Sequence, residues 1–573
     1  MKNWRKLRRQ VRRKLPQLIR RYDDLSHLRQ TFKAVQLLRG VVRASGLTGP
    51  RESELNNRIV LFNTVRSYIS IQLCVELLIA LKMLARGHEV RLLIDDGCLT
   101  HHDTLTRLDH HPYQSVSNLI LNLSLRSLRH IPLLGERIVL YSELISTDEI
   151  SQISNTLSSH SQDDIEPFVE ASLVRFYLSA PDRELLSSEP DYAEVRKLFE
   201  LNTRISQAVA TKALERFNPS CCVTSHGIYS TWGGFMRRMT ESGVRTVCWG
   251  GNGYASDKID IAIDDIAANK SDGGFYQLLS ERALPDKEFM KQVTETVDEM
   301  LTSRRSGTAV DIARLGVNEQ PDTNLIIDRI CLARASGHKV YALFPNVMWD
   351  NATTFKEWNR LFESPVAWLV ETVRFFMQSE NKLLVVRAHP AEYLWMTVRK
   401  GVRDILREKL GPEPFDHPNI LIIPTEESFS SYQLFKHLSA ATVYNGTIGP
   451  ELIHAGIPLI LGAKAAYSDK QFTYDPVNIE DYFTSFDKTD EIRKLQNDNR
   501  DRLALFVYEY FHLHGVRVRF MNSRGVYEPY YDADPQSVWD DPGLDQISAS
   551  VTGERRYPQT IPEQLAIREE GLS

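Results

Sequence analysis

Short apolar runs alternate with helix-periodic stretches along most of this chain, and glycine or small polar residues close the runs. Residues 58–62 (RIVLF) predict a strand, 70–86 a helix ended by Gly87, and 89–94 a second strand, which together make one βαβ unit. The rhythm returns with a strand over 221–225, a helix over 235–242 and a strand over 244–249, closed by Gly250-Gly251-Asn252-Gly253. A second series begins near Lys339, with strands at 340–344, 382–387, 419–423 and 441–444. Helices are expected over 358–379, broken at Pro365, over 430–437, and as one long element over 491–514. Residues 1–50, 100–210 and 255–335 read as mainly helical, and the segment beyond about 540 as a loose polar tail. The fold class expected is α/β, with two Rossmann-like domains facing a cleft and a helical N-terminal extension. The boundaries expected are 1–50, 51–260 (first domain), 261–335 (helical connection), 336–480 (second domain), 481–540 (a helix and return segment) and 541–573 (tail).

The stretch 441–469 (ATVYNGTIGPELIHAGIPLILGAKAAYSD) carries the most chemistry. Its apolar run ends in Tyr444 and meets the turn Asn445-Gly446-Thr447-Ile448-Gly449. Pro450 and Glu451 then open a short helix that Gly456 closes. A strand–turn–helix of this kind aims backbone N–H groups and the positive end of the helix dipole above the sheet, which suits a phosphate. It equally describes an ordinary crossover without a ligand.

Composition narrows the field. At 573 residues the chain exceeds a single core and fits two large domains. The net charge is −5, yet the first 21 residues carry ten Lys or Arg and no acid, which leaves −15 on the remainder. That acidic body argues against a nucleic-acid binder. Trp4, Leu7, Val11, Leu15 and Leu18 recur at helical spacing among the basic residues, so 1–21 can lie on an anionic membrane surface or stand as a solvated helix. No apolar signal core follows it, and no stretch is long enough to span a bilayer. Six cysteines without C-x-x-C spacing read as reduced thiols in a cytoplasmic protein.

The glycine pattern at 250–253 does not match G-x-G-x-x-G, and neither G-x-x-x-x-G-K-[ST] nor G-x-S-x-G occurs. Dinucleotide oxidoreductase, P-loop NTPase and α/β-hydrolase therefore recede. The chain resembles bacterial capsule and surface-polysaccharide biosynthesis proteins of GT-B glycosyltransferase architecture. The residues carrying the resemblance are Phe344-Pro345-Asn346-Val347-Met348-Trp349-Asp350, Arg387-Ala388-His389-Pro390-Ala391-Glu392, Ser430-Ser431-Tyr432, the 445–451 turn and Gly456-Ile457-Pro458. His226-Gly227-Ile228-Tyr229-Ser230-Thr231-Trp232-Gly233 is similar to a segment of the same group's first domain. In that group and in bacterial sialyl- and Kdo-transferases, a His-Pro element helps bind the donor nucleotide, and an acidic D/E-D/E-G element supplies the catalytic base. Asp95-Asp96-Gly97 is similar to the latter. Related chains often place Ser-Thr where this one has Gly446-Thr447, so here the backbone would have to hold the phosphate.

The candidate donor-binding residues are Arg387, His389, Pro390, Ser430, Ser431, Asn445, Gly446, Thr447 and Glu451. An imidazole at the end of a strand can donate to a phosphate oxygen, and Arg387, two residues back, can add charge. Ser430 and Ser431 can cap a helix, donate to phosphate, or both. Glu451 reads as a helix cap, and the resemblance to GT-B transferases implies instead an acceptor from a ribose hydroxyl. The catalytic candidates are Asp95, Asp96 and His226, because an inverting transfer needs a base near the acceptor hydroxyl. Asp96-Gly97 is equally a turn pair, and a lone His is often only structural. Tyr229, Trp232, Asn346 and Asp350 complete the candidates. The resemblance implies no metal or cofactor, since GT-B enzymes generally rely on helix ends and side chains to offset leaving-group charge; the acidic run 260–265 reads as solvated surface. The expectation is a glycosyltransferase using a CMP- or UDP-linked sugar on a polysaccharide or lipid-linked acceptor, held at the inner membrane face by residues 1–21. The alternatives are a CDP-polyol phosphotransferase of the teichoic-acid kind and a non-catalytic assembly or export partner.

Overall fold

The structure is a computed structural model, and it describes residues 16–48, 56–64, 70–99, 122–123, 125–157, 164–251, 257–265, 275–306, 324–349, 361–389, 392, 400–423, 429–521 and 530–554. The chain forms two α/β units, each interrupted in sequence. The first takes residues 1–176, 191–271 and 515–559, and the second 177–190, 272–514 and 560–573.

The first unit is built on seven strands: β1 (Asn56–Asn63), β2 (His88–Ile94), β3 (Ile138–Leu140), β4 (Cys221–Ser225), β5 (Arg245–Gly251), β6 (Lys258–Ile263) and β12 (Val516–Arg517). Their spatial order is β12-β6-β5-β4-β1-β2-β3. The strands from β5 to β3 are parallel; at the other edge β6 pairs antiparallel with β5, and β12 antiparallel with β6. Strand order thus reverses between β1 and β4, the place where open α/β sheets bind ligands at their carboxyl ends. The helix Ser70–Ala85 follows β1 and buries Val75, Leu78, Leu81 and neighbouring side chains against the sheet.

The second unit has five strands: β7 (Lys339–Phe344), β8 (Lys382–Arg387), β9 (Ile420–Ile423), β10 (Ala440–Val443) and β11 (Leu459–Leu461). Their order is β11-β10-β7-β8-β9, all parallel. Runs such as VYALF and LLVV are buried on both faces, as strands with helices on either side require. Here the order reverses between β7 and β10. Among the connecting helices, Pro365–Met377 starts with Pro at its first position and with the Ser364 hydroxyl accepting from the Ala367 N–H at 3.1 Å.

The α/β class and the two Rossmann-like sheets agree with the sequence, but several boundaries do not. The helix Pro16–Ser45 is no separate extension: Ala34, Leu38 and Val41 are fully buried in the core of the first unit. Residues 272–306 and 324–335, read as a connection, are part of the second unit, and so is the short excursion 177–190. The expected tail contains the helix Pro542–Thr552, whose Leu544, Ile547 and Val551 are buried in the first unit's core. The expected 491–514 helix is interrupted at Asn499 and ends in a π-helical turn over Tyr508–Leu513. Of the run 260–265 read as acidic surface, the first four residues belong to β6, where Asp260 is buried, while Asp264 beyond the strand is exposed; Asp257, just before β6, pairs with Arg517 of β12. No described helix is long and apolar enough to cross a membrane. The basic face from Trp4 to Leu18 lies outside the residues whose side chains are described.

Candidate functional site

In the second unit, the strand-order reversal brings the ends of β7 and β10 together. Asn346, just past β7, donates from Nδ2 to Asn445 Oδ1 at 2.5 Å, and Asn445 N–H approaches Asn346 Oδ1 at 3.5 Å. This pair pins the turn Asn445-Gly446-Thr447 over the sheet. The Gly446 carbonyl accepts from the Tyr467 hydroxyl at 2.6 Å and from the Gly449 N–H at 3.1 Å. Tyr467 lies so close that a Cβ on Gly449 would sit 2.2 Å from its hydroxyl oxygen, so glycine is required there for space. The helix that follows is Ile448–His454, with Thr447 as its cap residue and no side-chain cap bond. It therefore opens two residues earlier than expected, and Pro450 occupies its third position. Proline has no N–H and the Gly449 N–H is engaged, so the turn offers fewer backbone donors to an anion than a helix starting at Pro450 implied. Asn445, Thr447, Pro450, Ala466, Tyr467, Phe506, Tyr510 and Phe511 line a small recess beside it.

Glu451 does not stand open to a ligand. It is 2% exposed. Its Oε1 accepts from Arg304 Nη2 at 3.1 Å and Nε at 3.3 Å, and its Oε2 accepts from the Tyr432 hydroxyl at 2.8 Å. Arg304 is 147 residues away in sequence, which is why reading the turn alone left this carboxylate as a cap or ribose acceptor. Ser430 precedes a 3₁₀ helix, Ser431–His437, and makes no side-chain cap bond, so the expected cap is absent. Arg387 is buried at the end of β8, where its Nη2 donates to the Phe429 carbonyl at 2.8 Å. It thereby fixes the chain leading into Ser430. His389, an exposed residue, stands beyond the strand end. Desolvation by the surrounding protein, then the Arg387 cation, lowers its pKa to about 4, so the imidazole is neutral at pH 7. Pro390 and Asp350 lie outside the described residues.

In the first unit, Asp95 and Asp96 follow β2. Asp95 is fully buried, and its Oδ1 accepts from the N–H groups of Gly97 at 3.1 Å and Leu99 at 3.0 Å. Asp96 accepts from the Ser142 N–H at 3.1 Å and hydroxyl at 2.5 Å. Asp95 thus shapes the turn, while Asp96 ties it to Ser142, 46 residues on. Among the described residues, Asp95, Asp96 and Cys98 bring possible metal-ligating atoms within 4.8 Å of one another. Burial, then the two carboxylates, push the Cys98 thiol up to about 12, and backbone N–H groups and Ser142 engage oxygens of the two acids.

His226 follows β4 at the other side of the same strand-order reversal. It adopts φ +54, and its Nδ1 lies 2.5 Å from the Ser225 hydroxyl. Its ring stacks on Trp232 at 5.4 Å between centroids, with Tyr229 at 6.3 Å. Tyr229 and Trp232 are themselves buried, so they frame the imidazole rather than line an open surface. Burial, then Arg175, lower the His226 pKa to about 4. The sequence reading missed one neighbour. Glu76, on the helix after β1, is fully buried, with Oε1 accepting from Trp249 Nε1 at 3.0 Å. Burial raises its pKa to about 8, against the smaller opposing pull of Thr64 and Trp249. An acid inside an otherwise apolar helix face was the available signal.

No family model and no curated protein matches this chain. Among solved structures it is similar to a Listeria monocytogenes protein described as a UDP-N-acetylglucosamine 2-epimerase, at 11% identity and TM-score 0.26, covering 88% of this chain and 98% of that one. It is also similar to S. aureus MnaA with UDP, at 10% identity and TM-score 0.24, covering 79% and 96%. A third is the Neisseria meningitidis UDP-GlcNAc 2-epimerase bound to UDP-GlcNAc, at 10% identity and TM-score 0.22, covering 79% and 98%. At such identities and scores these likenesses transfer no activity.

Proposed function

We propose that this chain is a glycosyltransferase that moves a sugar from a nucleotide-sugar donor to a growing surface polysaccharide or lipid-linked acceptor. The observation carrying the reading is the gathering of Asn346, Asn445, Gly446 and Thr447 at the strand-order reversal of the second sheet, with His389 beyond the end of the neighbouring β8. That is where an open α/β sheet receives a ligand. In this reading the second unit takes the donor. The neutral His389 donates an N–H to a phosphate oxygen, and the amide side chains and the 445–448 backbone add neutral donors, which together offset charge on the departing nucleotide.

The first unit supplies the acceptor side. Of the three acid–base candidates, Asp95 and Asp96 already accept from turn and Ser142 donors. His226, neutral at pH 7, is in the form that takes a proton from an acceptor hydroxyl. Replacing such a base costs roughly 10²–10⁴ in rate. The basic segment 1–21 holds the enzyme beside an acceptor on the cytoplasmic membrane face.

Thermal unfolding with CMP, UDP, GDP and CDP-glycerol at millimolar concentration tests the donor side. A ligand at 100 times its Kd stabilises by about 2.7 kcal/mol. The expected result is a shift selective for one sugar-carrier nucleotide that His389→Ala abolishes. A shift with CDP-glycerol alone would transfer the site to a polyol phosphotransferase. No shift with any of them, in folded protein, contradicts the reading.

A further inference from the structure

We infer that Glu451 is a positioning residue: with Arg304 and Tyr432 it locks the 445–447 turn and the 430–432 segment into one register, and it does not itself contact the nucleotide. The inference rests on the donor reading above and deepens it. Three observations carry it. The carboxylate is enclosed, and both its oxygens are taken, Oε1 by Arg304 and Oε2 by Tyr432. Arg304 is equally enclosed, its side chain 7% exposed, and it lies 5.5 Å over the Phe511 ring, so the ion pair is held from its far side as well. A second tether joins the same two helices three residues on. His454 Nε2 lies 2.6 Å from Asp298 Oδ1, and Arg305 Nη1 lies 3.1 Å from His454 Nδ1. Arginine can only donate, so His454 Nδ1 accepts and Nε2–H donates to Asp298.

The helix Lys287–Ser306 therefore grips Ile448–His454 through consecutive arginines, 304 to 451 and 305 to 454. The seven-residue helix is too short to hold its own direction by backbone bonds alone. Tyr432 extends the grip to the segment that begins at Ser430. A buried pair of this kind is weak evidence for net stability, and its best-attested use is fixing register.

The test separates contact from positioning by removing the charges singly and together. Affinity for UDP and for CMP is measured by titration calorimetry in wild type, Glu451→Gln, Tyr432→Phe, and the paired Arg304→Met with Glu451→Leu. Glu451→Gln strands the Arg304 charge and is expected to weaken the preferred nucleotide about tenfold or more. Tyr432→Phe keeps the ion pair, folds, and is expected to weaken it about threefold. The paired variant restores a packed, uncharged anchor and is expected to return within about threefold of wild type. His389→Ala in the paired background stays weak. A paired variant as weak as Glu451→Gln, though folded, would overturn the inference, because the carboxylate would then be needed at the ligand. Unchanged affinity in Glu451→Gln would overturn it from the other side. A folded wild type that binds neither nucleotide contradicts the donor reading itself, and the role given to Glu451 falls with it.

Discussion

At the scale of single residues, desolvation shifts the titration of a carboxyl in the first unit and of one histidine in each unit. Glu76 keeps a carboxyl in a dry environment between helix Ser70–Ala85 and Trp249. Its folded pKa, about 8, lies above the ordinary 4.5, so the native state holds the proton more tightly than the unfolded chain does. Stability is therefore lost as pH rises from about 4.5 to 8, at roughly 1.4 kcal/mol per unit, or about 3 kcal/mol by pH 7. Glu76→Gln keeps an acceptor for the Trp249 N–H and removes the ionisation. It is expected to unfold at a higher temperature than wild type at pH 7.5, and at a similar temperature at pH 5. Equal Tm differences at the two pH values would show that the carboxyl is not held neutral. The histidines run the other way. His226 and His389 lie below 6.5, so folding loses their contribution as pH falls from about 6.5 toward 4. Loss of stability on mild acidification is expected to diminish in His226→Asn, read by denaturant midpoints at pH 7 and pH 5.

At the scale of elements, the 445–456 turn and helix were legible because punctuation and packing agree. The apolar run, small residues and closing Gly456 were read correctly, and Gly456 does take the left-handed conformation, φ +78. The helix start was misread because Pro at the first turn is a common signal, whereas here Ile448 and Gly449 already turn under the grip of Tyr467. Gly449→Ala forces a Cβ against that hydroxyl and is expected to cost about 1–3 kcal/mol, whereas at Gly446 the nearest atom would be Asn346 Oδ1 at 3.2 Å and the cost smaller. Chemical denaturation of the two variants checks the order. Strand β6 was missed although its alternation is plain in Lys258-Ile259-Asp260-Ile261-Ala262-Ile263. Its charges drew it to the surface, and only the pairing with β5 and β12 shows why they are inside.

At the scale of the whole molecule, the sequence revealed two Rossmann-like domains in series but not how the chain is shared between the units. Contacts joining distant positions have no local signature: Arg304 with Glu451, the 177–190 excursion, and the helix Pro542–Thr552 completing the first unit's core. The candidate residues that the sequence brought forward are present at strand ends, yet Arg387, Glu451, Asp95 and Asp96 are engaged by partners that spacing could not reveal. Truncation after residue 540 removes Leu544, Ile547 and Val551, each worth roughly 1.5–3 kcal/mol of burial. That approaches the stability of a typical domain. The shortened chain is expected to lose near-ultraviolet circular dichroism from the first unit and to become protease-sensitive there, while a true tail would be removed without effect.

The most direct measurement of the central claim is release of free nucleotide from a panel of UDP- and CMP-sugars, with and without a lipid-linked oligosaccharide acceptor. The account predicts release from one donor that depends on the acceptor, matches new glycosidic product by mass, and falls at least 100-fold in His389→Ala and in His226→Ala. Acceptor-independent conversion of the donor to an isomeric nucleotide sugar, or no turnover of any donor by folded protein, would contradict it.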